Sequence, residues 1–181
     1  MEGHIFEGRG MRAVTLPFAD IQVLPREARR GEGFLPTRMA PVVKAAEEML
    51  PEEIPAITKE LWELFFTTGE RKRFDDAYIR RRDMLLTLTL AEAYERRGRF
   101  MGKLLAVLSA IMDEPTWIIP AHLEANSDYR AAEGLPPHLA PGRAHGLDIM
   151  AGATGACVAV TYYYLGDVIR GAAAGLYDKM D

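Results

Sequence analysis

From Ile149 to Gly166 the chain carries no charged side chain, and that run limits the possible folds more than any other stretch. A helix that is apolar or small on every side has to be surrounded by other helices or by lipid. Gly152, Thr154, Gly155, Thr161 and Gly166 keep the run only weakly apolar, and no basic cluster flanks it. A buried helix of a larger helical domain is therefore expected, and a membrane span is not. Each glycine at 152 and 155 costs about 1 kcal/mol of helix propensity against alanine. They make sense where another helix backbone approaches closely. Tyr162, Tyr163 and Tyr164 point in different directions on a helix, so at most one can face a cleft, and packing is their expected use.

The remaining chain supplies the helices for such a surrounding. With 181 residues, 49% of them hydrophobic, it can build one domain with a core. A net charge of −4 argues against a general nucleic-acid binder. The single cysteine, Cys157, cannot form an internal disulfide. Met1-Glu2-Gly3-His4 lacks a basic n-region followed by an apolar h-region, so a cytoplasmic location is expected.

Residues 1–36 read as an irregular N-terminal arm, with an extended piece over Met11–Leu16 ended by Pro17. Residues 37–181 read as helices. The first is expected over Met39–Leu50, with Thr37 as N-cap, Pro41 in the first turn and Pro51 as its stop. The second is expected over Pro55–Phe66, closed by Thr67-Thr68-Gly69. A long third helix, Asp75–Arg97, has acidic residues at its start and Arg96 and Arg97 at its end, which suits the helix dipole. Gly98 breaks the chain before a fourth, Phe100–Met112, and so short a turn makes an antiparallel hairpin. The fifth is expected over Leu147–Leu165, and a sixth begins near Val168 and runs to the last residue, Asp181. Hairpins that stop in mid-pattern suggest an incomplete ring, an all-α (α/α) toroid truncated from a longer protein. The hairpins share no fixed period, which argues against a repeat scaffold.

Candidate site residues cluster late in the chain. Trp117-Ile118-Ile119-Pro120-Ala121-His122 packs an aromatic, a rigid turn and an imidazole into one loop. Trp117 could stack on a sugar ring, though plugging the core is the commoner use. His122 could position an anionic sugar, though histidines in such loops more often tie a loop to a helix end. His145 and Asp148 have the spacing of two ligands at a helix start, with His122 as a third. A carboxylate in a first helical turn is favourable without any metal, so neither metal nor cofactor is expected. Arg71-Lys72-Arg73 and Arg80-Arg81-Arg82 are interleaved with Glu70, Asp75, Asp76 and Asp83 and read as a solvated, ion-paired face. Glu60, Glu63, Glu92 and Glu95 offer no close pair for glycoside hydrolysis.

Three segments, taken together and in order, resemble the N-terminal helical region of heparinase II/III-type proteins. They are Arg81-Arg82-Asp83 through Arg99-Phe100, Trp117 to His122, and Gly146-Leu147-Asp148 … Thr154-Gly155-Ala156 … Tyr164-Leu165-Gly166-Asp167. The resemblance covers residues 35–181 and implies an (α/α) toroid followed by β-sandwich layers. It also implies a polysaccharide lyase that cleaves uronic-acid glycans by β-elimination. In that reaction one group neutralises the uronate carboxylate, a His or Tyr base takes the adjacent proton, and a Tyr-type acid protonates the leaving oxygen. In the family these groups lie C-terminal to the region matched. This chain is then expected to contribute cleft wall and stability, with Trp117, His122, His145 and Asp148 as candidate contacts to an acidic polysaccharide or oligosaccharide. An unfinished toroid edge should self-associate. The rival expectation is a non-catalytic helical module that binds glycan or a protein partner.

Overall fold

The structure, a computed structural model, describes residues 34–124 and 148–180, and every element among them is a helix. The chain clusters into two units, 1–36 and 37–181. The expected irregular arm, its extended piece and His145 lie outside the described residues.

In order, the helices are α1 (Phe34–Met49), α2 (Lys59–Thr68), α3 (Lys72–Glu95), α4 (Met101–Met112), α5 (Pro120–Glu124), α6 (Ile149–Ala172) and α7 (Ala174–Met180). The α3–α4 pair is an antiparallel hairpin whose turn is built by one carboxylate. Glu92, 3% exposed, accepts from Gly98 N at 2.7 Å and Phe100 N at 3.1 Å. Arg96 meanwhile adopts the left-handed conformation, φ 53°, and its N–H returns to Glu92 O. That reversal ends α3 at Glu95, so Arg96 and Arg97 lie past the last turn instead of within it.

α6 runs parallel to α3. Tyr78 and Arg82 meet Thr154, Thr89 meets Thr161 at 2.9 Å, and Arg96 reaches Tyr164 O at 2.7 Å, so both helices advance together. The buried residues of α6 (Thr154, Val158, Thr161, Leu165 and Ile169) repeat at helical spacing and form one stripe. α7 folds back on α6, where the Tyr162 and Tyr177 rings stack at 5.3 Å with their hydroxyls 2.7 Å apart. A continuous core of Met84, Leu85, Leu88, Leu104, Leu108 and Ile111 joins α3 to α4 and takes in Leu165 and Ile169 of α6. α1 adds Ala46 and Met49 to the same core. A smaller cluster of Phe74, Tyr78 and Ile119 gathers Ile57, Leu61 and Trp62 at the end of α3 that α2 covers.

Several boundaries differ from the sequence expectation for local reasons. α1 begins at Phe34, so Thr37 lies inside it and Pro41 stands beyond the first turn. α2 begins only at Lys59 because Thr58, extended at φ −102°, caps it by accepting from Leu61 N. Its expected close at Gly69 is present, left-handed at φ 77° with its N–H on Phe65 O. α6 runs unbroken past Leu165 to Ala172, because Gly166 stays helical; a Cβ there would make ordinary contact with the Tyr177 and Tyr162 rings, at 3.6 and 3.7 Å.

A Cβ added at Gly155 would meet nothing within 4 Å, so no close approach accounts for that glycine. Gly155→Ala is therefore expected to stabilise the fold by about 0.5–1 kcal/mol, read as a higher urea midpoint. α6 is also long and apolar enough to cross a membrane by length and composition, with mean hydropathy 1.2 and 28% of that window buried. Ile149, 74% exposed, and Val168, 37% exposed, lie off its buried stripe.

Candidate functional site

The Trp117–His122 loop is fastened where α3 and α6 begin. Asp148 is the N-cap of α6: extended at φ −68°, ψ 134°, it accepts at Oδ1 from Met150 N and Ala151 N, both at 2.9 Å. This satisfies two N–H groups that the first turn cannot bond internally. Its other oxygen, Oδ2, lies 2.5 Å from His122 Nδ1 on α5. One carboxylate thus starts a helix and holds an imidazole. With Nδ1 engaged, Nε2 is the ring nitrogen left to meet a ligand, and His122 is about one-third exposed.

Trp117 is held at both ends. Its indole N–H donates to Ile111 O at 3.0 Å, its carbonyl accepts from the Tyr78 hydroxyl at 2.7 Å, and its ring packs against the main core. The ring packs against the core while remaining partly exposed.

Tyr78 is the hub of this junction. Its hydroxyl also lies 2.7 Å from Thr154 Oγ1, and Arg82 Nε donates to that same oxygen at 3.0 Å. Both hydroxyls also face Met150 O, Tyr78 at 3.1 Å and Thr154 at 2.9 Å, so either of the two can be the donor between them. Arg82, Thr154, Tyr78 and the carbonyls of Trp117 and Met150 form one hydrogen-bonded network. Burial pushes the Tyr78 phenol above its ordinary value, opposed by the Thr154 hydrogen bond and the Arg82 charge. The group is therefore a neutral donor at neutral pH. Because its folded-state pKa is raised, its contribution to stability is present below the unfolded value, about 10, and fades as pH rises through the folded value. Spectrophotometric titration should show one tyrosine ionising last and together with unfolding, and Tyr78→Phe should remove that step.

Behind Tyr78 lies an ion cluster that the sequence reading assigned to solvent. Arg81 and Arg82 are 9% and 7% exposed, and the Glu114 side chain is 4% exposed. Arg82 Nη1 donates to Glu114 Oε1 at 2.8 Å, its Nη2 bonds Oε2, and Arg81 Nη1 donates to Oε1 at 3.0 Å. Arg81 also donates to Pro55 O at 2.7 Å and Ala110 O at 3.0 Å, tying the connection before α2 to the last turn of α4. The Arg82 guanidinium sits 3.4 Å over the Tyr78 ring centre. The solvated reading does apply to Arg71 and Lys72, which form exposed pairs with Asp75 and Asp76.

Arg81 and Arg82 are the buried framework residues that interleaved charge concealed, and Glu114 is their partner. The available signal was that Arg81 and Arg82 share a helical stripe with Phe74, Tyr78, Leu85 and Leu88. The structure thus joins Trp117, His122 and Asp148 at one junction. Among the described residues no group of three or more His, Cys, Asp or Glu side chains is placed to hold a metal. Compared with protein-family models and with curated proteins, the chain matches none.

Proposed function

We propose that this chain forms one arc of a heparinase II/III-like (α/α) toroid and supplies wall, rather than catalytic groups, to the cleft of a polysaccharide lyase acting on uronic-acid glycans. One observation carries this reading: the three dispersed segments that resemble the family bond to one another. Arg82 of the first meets Thr154 of the third, and Arg96 of the first meets Tyr164 and pairs with Asp167 of the third at 3.7 Å. His122 of the second holds Asp148 of the third. Segments spread along the chain act as one scaffold, which is what a family signature made of framework residues would do.

The same bonding explains why these residues supply no elimination chemistry. The base has to accept a proton from the carbon beside the uronate carboxylate, and the acid has to release one to the leaving oxygen. Tyr78 is buried with its hydroxyl bonded to Trp117 O, Met150 O and Thr154, and both Glu114 oxygens are occupied by guanidinium. His122 Nε2 is the group here best placed to touch an anionic sugar.

The test is the uronate-elimination assay on the full product of the gene, with a panel of uronate polymers. Ultraviolet absorbance from the unsaturated product is expected. Its absence with every polymer would refute the reading.

A helical module acting through a protein partner is the second reading. It is favoured by the outward face of α6, where Ile149, Ala153, Ala156 and Val168 are exposed. Light scattering behind size exclusion separates the two: an open toroid edge should self-associate, and a self-sufficient module should run as a monomer.

A further inference from the structure

A cavity of about 510 Å³ opens between α2, the start of α3 and the segment just before Trp117. Its walls are apolar and mostly aromatic: Ile57, Trp62, Phe66, Phe74 and Pro115. Its size falls within the range of small-molecule sites, roughly 300–1,000 Å³. The framework behind it is rigid. Phe74, 3% exposed, stands edge-on to Trp62 at 5.4 Å and stacks on Tyr78 at 6.0 Å. Glu114, at the inner wall, is fixed by Arg81 and Arg82.

The polar groups on the wall restrict the occupant. Its ionisable side chains are Lys59, Glu63 and Glu114, and each has a partner of opposite charge. Lys59 and Glu63 pair with each other at 3.5 Å, and Glu114 pairs with the two arginines. Glu114 is thus closed to an ion, and the Lys59–Glu63 pair lies on the exposed rim. Of the two hydroxyls, Thr58 accepts from Leu61 N at 3.2 Å and gives its hydrogen to the Glu60 carboxylate, while Thr116 accepts from Ile118 N at 3.2 Å. Thr116 is left with its O–H to donate. A sugar ring, with hydroxyls around its whole edge, would find too few partners here.

We propose that this cavity is a binding site for a neutral, ring-bearing apolar compound with one or two oxygen acceptors, such as an aryl ketone. The rings seat on Trp62, Phe66 and Phe74, and the acceptor oxygen takes a hydrogen bond from Thr116. The site is separate from the glycan wall and stands or falls independently of the lyase reading.

The probe is prodan, a neutral naphthalene bearing one ketone, titrated into the full chain. The expected result is saturable binding of one prodan per chain, with blue-shifted emission and quenching of tryptophan fluorescence. Phe66→Ala, at a side chain 40% exposed, should weaken it tenfold or more while circular dichroism stays unchanged. Thr116→Val should weaken prodan severalfold and leave a naphthalene hydrocarbon unaffected. Absence of saturation would overturn the proposal, as would affinity indifferent to both substitutions. Equal affinity for an anionic naphthalenesulfonate, or displacement by a uronate oligosaccharide, would overturn the assigned chemistry.

Discussion

Glu114→Ala is expected to destabilise the chain by about 3–5 kcal/mol, because it strands two buried guanidiniums without their counter-charge. A domain of this size has roughly 5–15 kcal/mol in total, so the variant should unfold at a much lower urea concentration. The loss is large because the arginines cannot escape to solvent. Arg81 is tethered to Pro55 O and Ala110 O, and Arg82 to Thr154 and the Tyr78 ring. Glu114→Gln keeps the shape and loses the charge, and should be nearly as damaging. Replacing Arg81 and Arg82 by methionine in the Glu114→Ala background should recover much of the loss, since an uncharged core of similar volume leaves no ion unpaired. Urea unfolding followed by circular dichroism measures all of these. A Glu114→Ala loss below about 1 kcal/mol, the range of an exposed pair, would show that the cluster is hydrated.

The second large effect is at Glu92. Its carboxylate is the acceptor for two backbone N–H groups of the α3–α4 turn, Gly98 and Phe100. Hydrogen bonds to a charged group contribute about 1.5–3 kcal/mol each, so Glu92→Ala should lose roughly 3 kcal/mol or more. Glu92→Gln keeps a single acceptor oxygen and should lose about half as much. Amide hydrogen exchange adds a local readout. Gly98 and Phe100 should lose protection in both variants, while Gly69, which closes α2, should keep its own. Unchanged protection at Gly98 would mean that the turn is held by Phe100 packing alone.

Periodicity made the helices legible. The apolar positions of α4 (Leu104, Val107, Leu108 and Ile111) are buried as their spacing demands, and Gly69 marked the end of α2. Boundaries were legible only where the cap is local. Glu92 was opaque because its partners lie six and eight residues ahead, past a break that no helical pattern crosses. Interleaved charge hid the burial of Arg81 and Arg82, since alternation along a chain carries no information about which face meets another helix. The close approach expected at Gly155 is absent for a related reason: whether a neighbour stands over it depends on the other helices. α5 is a short helix whose one advance sign is Pro120 in its first position. At the candidate site the loop and the α6 start were recognisable as residues. Their connection through Tyr78, Arg82 and Thr154 is a matter of α3 lying parallel to α6, which single-chain patterning does not specify.

That parallel junction is the core of the account, and a double-mutant cycle between Tyr78 and Thr154 probes it most directly. Tyr78→Phe and Thr154→Val each remove a hydroxyl with little change of shape. Because the two hydroxyls share one hydrogen-bond chain, the double variant should lose less than the sum of the singles, with a coupling of about 1 kcal/mol. Losses that add to within roughly 0.3 kcal/mol would mean that the two residues do not act together, and that the loop carrying Trp117 is held by other means.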